Sequence, residues 1–219
     1  TGNRISEIIK AEVGLKQPKS IAILSGPNFA KEILNLQPSS GVVACTELAV
    51  ARHVQDLLST AHFRLYTSND IIGVELGGAL KNPIAIGAGI VDGLELGTNA
   101  KAALATRALA EIINLGSAAG ADPATFKGLS GLGDLIATCF SPLSRNRYVG
   151  EQIAKGKTLK EILESMDNVA EGTEAIIGAL KLSEKLAINM PIMETIYEIL
   201  FNGLEPREAI VKLMSRPLK

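Results

Sequence analysis

Hydrophobic and polar positions follow one pattern in the first seventy residues of the chain and another in the rest. In the first part, short β-branched or aromatic runs bounded by turn residues alternate with amphipathic segments. The short runs predict strands at 21–25, 41–45 and 63–67. The amphipathic segments predict helices at 3–14, 29–36 and 47–60. Strands and helices that alternate at these lengths indicate part of an α/β sheet.

From Asp70 onward the strand-like runs disappear, and Ala, Leu, Ile, Gly and Glu dominate the sequence. Apolar positions then recur at helical spacing. The predicted helices lie at 70–92, 99–120, 145–155, 159–165, 172–186, 191–200 and 205–213. We therefore predict two domains, an α/β portion at 1–69 and a larger all-helical domain at 70–219. By content, the fold class is α+β.

Composition and charge exclude several classes of partner. The 219 residues include 22 Lys and Arg against 23 Asp and Glu, so the overall charge favours neither nucleic acid nor a membrane surface. Two cysteines and two histidines provide neither a disulfide framework nor a metal cluster of the usual spacing. No apolar run approaches the roughly 20 residues of a membrane-spanning helix. These features favour a cytoplasmic protein with a small-molecule ligand.

Two glycine-containing stretches could bind a phosphate, and both have a structural explanation. The stretch GAGIVDG (87–93) contains G-x-G, but it follows no strand and lies inside an apolar helical pattern. We interpret its glycines as sites of close helix packing. The stretch LSGPNFAKE (24–32) is typical of a strand end, a Gly-Pro turn and a helix start. Free N–H groups at such a turn can face an anionic ligand, although many turns of this kind are purely structural.

Lys81 and Asn82 lie in the otherwise apolar helical segment ELGGALKNPIAIGAGI (75–90). Apolar surroundings disfavour the ammonium form of a lysine, and such a lysine can carry a proton near neutral pH. Alternatively, Lys81 extends to solvent and leaves only its methylene stem against the core. The segment alone leaves both alternatives open.

The passage GLSGLGDLIATCFSPLSRNRYVG (128–150) combines a carboxylate with an anion-binding pattern. Asp134 follows two glycines, where it can be positioned to bind a lysine or a substrate hydroxyl. Ser144 is a predicted helix cap, and Arg145 follows it in the first turn. A helix N-terminus with an arginine is a good receptor for a phosphate group. Cys139 has no histidine nearby in sequence, so we expect a buried thiol rather than a nucleophile.

Taken in this order, these segments resemble the bacterial-type NAD(P)-dependent glycerol-3-phosphate dehydrogenases. SGPNFAKE is similar to the family's Gly-Pro-Ser-Phe-Ala-x-Glu turn, and residues 75–112 are similar to its longest motif. Residues 128–150 resemble its Gly-Leu-Gly-Asp-Leu and Ser-Arg-Asn signatures, and VAEGTEA (169–175) resembles its Val-x-Glu-Gly motif. The resemblance implies the remnant of a Rossmann-like domain, followed by a helical domain similar to the C-terminal domain of 6-phosphogluconate dehydrogenase.

The resemblance also implies an activity and a set of site residues. Such enzymes interconvert sn-glycerol 3-phosphate and dihydroxyacetone phosphate with NAD or NADP, which supplies glycerol 3-phosphate for phospholipid synthesis. By resemblance, Lys81 accepts the proton of the C2 hydroxyl, and Asp134 lies beside the same oxygen. The other implied substrate contacts are Gly26, Asn28, Thr138, Ser144, Arg145 and Asn146. The implied cofactor contacts are Ala30, Arg145, Val169 and Glu171.

The sequence departs from the family pattern in two ways. Asn28 stands where the family commonly has Ser or Thr, which weakens that one contact assignment. The family's glycine-rich nucleotide loop, its first strands and a second lysine in a Thr-Lys-Gly motif would precede Thr1. We therefore expect that this chain by itself binds the cofactor poorly and turns over little or no substrate.

Two other functions remain open at this point. One is a different dehydrogenase of the same two-domain architecture, for example one that acts on a hydroxy acid. The other is a non-catalytic helical module for dimerisation or partner binding. The sequence determines neither the choice between NADH and NADPH nor the formation of a homodimer.

Overall fold

The computed structural model describes residues 2–13, 21–166 and 169–217. It contains one three-stranded mixed sheet in the order β1, β2, β3. The strands are β1 (Ile23–Ser25), β2 (Ser39–Ala44) and β3 (Phe63–Ser68). β1 is antiparallel to β2, with Ile23 opposite Ala44, and β2 is parallel to β3, with Ser39 opposite Phe63. Each strand matches its predicted position to within two residues at either end.

The helices surround a single long central helix. They are α1 (Ile5–Glu12), α2 (Ala30–Leu34), α3 (Leu48–Leu58), α4 (Ile71–Gly93), α5 (Gly97–Ala118), α6 (Asp134–Phe140), α7 (Arg145–Ala154), α8 (Leu159–Glu164), α9 (Gly172–Lys185), α10 (Pro191–Phe201) and α11 (Pro206–Met214). All of these except α6 match the predicted segments to within two residues at either end. None of the helices in the described residues is both long enough and apolar enough to cross a membrane.

Helix α4 is the centre of the larger hydrophobic core. Most of its residues are buried, because its sequence is apolar on nearly all sides and α5, α6, α7, α9 and α10 pack around it. Asp70 begins the helix by accepting a hydrogen bond from the Gly73 amide at 2.9 Å. A second, smaller core lies between α3 and the sheet, where Val43, Ala51 and Leu65 are buried.

The glycines of α4 permit unusually close helix packing. A Cβ added at Gly89 would overlap the carbonyl oxygen of Arg147, and one added at Gly150 would overlap the carbonyl oxygen of Ile86. The backbones of α4 and α7 therefore touch at this crossing. This confirms the interpretation of the GAGIVDG glycines as packing positions.

Helix α6 was not predicted from the sequence. It follows a 3₁₀ turn at Thr125–Lys127 and a π-helical turn at Leu129–Gly133. Leu135 and Cys139 are buried, whereas Ile136 and Phe140 are exposed, so apolar residues occupy both sides of the helix. This arrangement removes the contrast between faces on which a periodicity argument depends.

Candidate active site

Lys81 of α4 and Asp134 at the start of α6 form an ion pair. The Nζ atom of Lys81 donates a hydrogen bond to Oδ2 of Asp134. The side chains are 17% and 5% exposed, respectively. Of the two alternatives that the sequence left open for Lys81, the structure therefore argues against extension into solvent, because Nζ lies against a buried carboxylate.

Two further groups hold the Asp134 carboxylate in place. The Thr138 hydroxyl lies 3.2 Å from Oδ1 of Asp134 and 2.6 Å from its main-chain oxygen, one helical turn earlier. The backbone N–H of Gly26 also donates to the carboxylate. Burial raises the pKa of Asp134, while the Lys81 charge and these hydrogen bonds act in the opposite direction.

The backbone position of Gly26, which donates to Asp134, leaves no room for a side chain. Its φ is +141°, and an added Cβ would lie 2.8 Å from Cα of Gly41 on β2. The end of β1 also approaches α4 closely at Gly78, where an added Cβ would lie 2.5 Å from Oγ of Ser25. The turn after β1 is thus pressed against the helix that carries Lys81.

The N-terminus of α7 forms another wall of the site. Ser144 caps this helix, because its side-chain oxygen accepts the Arg147 N–H at 3.2 Å. Arg145 is exposed in the first turn and makes no side-chain hydrogen bond or ion pair with the described residues. The positive end of the helix dipole and this guanidinium together favour an anion.

Asn82 links three helices beside the ion pair. Its Oδ1 accepts a hydrogen bond from Nδ2 of Asn146 at 3.0 Å, and its Nδ2 donates to Oε2 of Glu171 at 3.2 Å. Oδ1 of Asn146 in turn accepts the N–H of Gly172 at 2.9 Å. The sequence marked Asn82 as a polar residue in an apolar helix, but no role was assigned to it.

Two adjoining cavities of about 170 and 610 Å³ meet at the ion pair. The smaller cavity includes most of the predicted site residues, namely Asn28, Lys81, Asp134, Thr138, Ser144, Arg145, Asn146, Val169 and Glu171. Gly26 lines the larger cavity. Ala30 lines neither cavity and is exposed at the start of α2, so the structure does not bring this predicted cofactor contact to the site. Phe29 and Leu143 also line the smaller cavity, although the sequence motifs assign no role to either residue.

The larger cavity is bounded by the N-terminal segment. Glu75, six residues before Lys81 on α4, accepts the backbone N–H and the hydroxyl of Ser6, both at 2.7 Å. It also accepts a hydrogen bond from Arg4 at 3.0 Å. These contacts hold the start of α1 against α4, and no sequence motif indicated them.

Cys139 is buried close to the site and plays no part in it. It is fully buried, as predicted, and burial raises the pKa of its thiol to about 12. The thiolate is therefore scarce at neutral pH, which argues against a nucleophile.

Comparison with known proteins identifies the family. The family model described as the C-terminus of NAD-dependent glycerol-3-phosphate dehydrogenase matches residues 70–211, and the model of the N-terminus matches residues 1–51. The chain belongs to the NAD-dependent glycerol-3-phosphate dehydrogenase family. This membership confirms the resemblance inferred from the sequence motifs.

Individual relatives agree with this membership. A glycerol-3-phosphate dehydrogenase [NAD(P)+] of Geobacter sp. (strain M21) is 50% identical over 98% of this chain and 64% of its own length. Its counterpart in Prosthecochloris aestuarii is 47% identical over 100% of this chain and 66% of its own length. The chain therefore spans about two thirds of the length of the curated relatives it matches.

A solved structure confirms the predicted fold class. The glycerol-3-phosphate dehydrogenase of Coxiella burnetii superposes with a TM-score of 0.92 and 36% identity, over 98% of this chain and 65% of that one. The common fold is a Rossmann-like sheet portion followed by a larger helical part. The domain boundary at residue 70 stays a prediction.

Proposed function

We propose that this chain serves the interconversion of sn-glycerol 3-phosphate and dihydroxyacetone phosphate with NAD or NADP. The observation that carries the proposal is the Lys81–Asp134 ion pair, which lies in a cavity that also contains the Arg145 end of α7. A substrate for this cavity needs an oxygen that gains or loses a proton and an anionic group a short distance away. Membership of the family supports these two phosphorylated three-carbon substrates.

Lys81 is the group that moves the proton in this proposal. When the alcohol is oxidised, a hydride leaves C2 while the hydroxyl proton passes to the neutral amine of Lys81. In the reverse direction the Lys81 ammonium returns that proton to the oxygen of the former carbonyl. The Asp134 carboxylate stabilises the ammonium form and fixes the direction of its N–H groups.

The first turn of α7 binds the phosphoryl group in this proposal. Arg145 supplies a guanidinium, and the free N–H groups of the turn supply the positive end of the helix dipole. Asn146 is held by Asn82, the neighbour of Lys81 on α4. The groups that position the substrate's phosphoryl group and its C2 atom are consequently both fixed to α4.

The residues present fit one end of the nicotinamide cofactor. Val169, Glu171 and Arg145 line the cavity that contains Lys81, so they would hold the nicotinamide end. The described part of the chain has no strand followed by G-x-G-x-x-G and a helix to receive the pyrophosphate. When bound, the nicotinamide supplies the hydride acceptor or donor.

The proposal extends to location and assembly. We place the enzyme in the cytoplasm, where it would supply glycerol 3-phosphate for phospholipid synthesis; the small-molecule substrate and the near-neutral charge of the chain agree with this location.

The domain boundary at residue 70 is part of the same proposal, since the family model for the C-terminus begins there. Sedimentation equilibrium tests whether the chain forms a homodimer.

Isothermal titration calorimetry of the 219-residue chain tests the proposed substrate. We expect glycerol 3-phosphate to bind at least tenfold more tightly than glycerol, since the phosphate contacts are charge-assisted. Arg145→Ala should remove most of this difference. The matched control is Arg52→Ala, which removes an exposed arginine on α3 outside both cavities.

Equal binding of glycerol and glycerol 3-phosphate would contradict the proposal, as would equal effects of the two arginine substitutions. A second assay follows NADH or NADPH oxidation with dihydroxyacetone phosphate. Robust oxidation by this chain would support the reaction and contradict the expectation of low turnover.

A further inference from the structure

Asp92, near the C-terminal end of α4, joins three helices through two cations. Its Oδ2 accepts a hydrogen bond from Nε of Arg147 at 2.5 Å and another from Nζ of Lys101 at 2.6 Å. Lys101 belongs to α5, and its ammonium also lies 4.7 Å from the centre of the Phe140 ring on α6. None of these four residues lines either cavity at the candidate active site.

Arg147 follows directly after the residues that are proposed to bind the phosphate. It lies in the first turn of α7, and its main-chain oxygen lies against Gly89 of α4. At the crossing itself the backbones meet at Gly89 and Gly150, which allow close approach but present no side chains that interlock. Val149 and Ile153 pack in the core further along α7, so the orientation of the first turn of α7 needs contacts of its own.

Two side-chain contacts meet that need. Asn146 binds Asn82 beside Lys81, and Arg147 binds Asp92 further along the same helix. Eleven residues separate Lys81 from Asp92, which is about three turns or 16 Å of α-helix, so both lie on the same side of α4. The first turn of α7 is thereby tied to α4 on both sides of the glycine contact.

We propose that Asp92 is a positioning residue, which acts through Arg147 to hold the anion-binding turn of α7 toward Lys81. This inference rests on the proposed function, because it assigns the Asp92–Arg147 pair to the phosphate end of that site. Lys101 contributes by neutralising the same carboxylate from a buried position, with its side chain only 8% exposed. The pair is therefore connected to α5 and α6 as well as to α4.

Glu151 provides a matched control within the same cluster. It binds the same guanidinium, with Oε1 2.6 Å from Nη2 of Arg147, but it belongs to α7 itself. Glu151→Gln removes one negative charge next to the Arg147 guanidinium without loosening α7 from α4. Asp92→Asn also removes one negative charge next to this guanidinium, but it weakens the connection between the helices as well.

The test measures the affinity of the 219-residue variants for glycerol 3-phosphate by calorimetry, at a temperature where thermal unfolding shows each variant to be folded. We expect Asp92→Asn to weaken binding at least tenfold and Glu151→Gln to weaken it less than twofold. Asp92→Glu keeps the carboxylate, so its affinity should be much closer to that of the wild type than to that of Asp92→Asn. Arg147→Lys keeps the charge with a different geometry and should give an intermediate loss. It serves as the second variant if Asp92→Asn does not fold. Unchanged affinity in the folded Asp92→Asn or Arg147→Lys variant overturns the inference.

Hydrogen exchange separates this inference from the proposed function. The Tyr148 amide donates to the Ser144 carbonyl in the first turn of α7, and the Ala175 amide donates to the Glu171 carbonyl in the first turn of α9. Asp92→Asn should speed exchange at Tyr148 at least tenfold and leave Ala175 unchanged. If the wild-type chain fails to prefer glycerol 3-phosphate over glycerol, the proposed function fails and the inference fails with it. If the wild type shows that preference but the affinity of folded Asp92→Asn is unchanged, only the inference fails, and unchanged exchange at Tyr148 would show that α7 is not held by Asp92.

Discussion

Ionisation of Glu111 should make the stability of this protein depend on pH. Glu111 lies on α5 and accepts the backbone N–H groups of Ile192 at 2.9 Å and Met193 at 3.3 Å, in the first turn of α10. The residue is only 7% exposed, and burial raises the pKa of its carboxyl to about 7. Nearby Glu194 acts in the same direction, while the two N–H groups and Arg216 oppose it.

The size of the effect follows from the two pKa values. The folded value of about 7 exceeds the ordinary value of 4.5. Each unit of difference corresponds to about 1.4 kcal/mol, so this group changes the free energy of unfolding by roughly 3 kcal/mol. Because the folded protein holds the proton more tightly, the contribution is complete below pH 4.5 and is lost as the pH rises through 7. The slope between these limits is about −1.4 kcal/mol per pH unit.

Urea unfolding of the wild type and of Glu111→Gln, measured from pH 4.5 to 8, tests this prediction. Other titrating groups are shared by the two proteins, so the difference between their free energies of unfolding isolates Glu111. We expect the wild type to lose about 3 kcal/mol relative to the variant across this range. Glu208→Gln, an exposed substitution on α11, is the control and is measured over the same pH range. A difference for Glu111→Gln that varies with pH no more than the difference for this control would refute the reasoning.

Three further predictions concern packing and the site. Gly89→Ala should lower the free energy of unfolding by about 1–3 kcal/mol, because the added Cβ would overlap the main-chain oxygen of Arg147. Gly178→Ala on α9, where the space is open, should raise the free energy of unfolding by about 0.5–1 kcal/mol. Urea unfolding of the two variants should therefore show changes of opposite sign. Lys81→Met should cost on the order of 3 kcal/mol at pH 7 by leaving Asp134 buried without a cation, and adding Asp134→Asn should recover most of the loss in a double-mutant cycle. Ser144→Ala should lower the free energy of unfolding by about 1 kcal/mol through loss of the α7 cap, and an unchanged urea midpoint would contradict that role.

Local periodicity was sufficient to predict most of the fold. Helices such as α5 and α9 and strands such as β3 have one consistent pattern over their length, so the expected and observed bounds nearly coincide. Helix α6 was missed because apolar residues occupy both of its sides. The motifs also named the residues that meet in the cavity, although Ala30 lies outside it.

The contacts that organise the site depend on tertiary structure, which periodicity does not contain. Asn82 and Asn146 are 64 residues apart in the chain, and Arg4 and Glu75 are 71 apart. Each of these side chains is common on a solvated helix surface, so its sequence neighbours carry no sign of its partner. Only the crossing of α4 with its neighbours brings the partners together.

A crystal structure of this chain with bound glycerol 3-phosphate tests the central claim most directly. We predict that the phosphoryl group lies at the N-terminus of α7 against Arg145, with the C2 hydroxyl oxygen about 2.6–3.2 Å from Nζ of Lys81. A phosphoryl group bound away from α7, or a C2 hydroxyl beyond the reach of Lys81, would contradict the assignment.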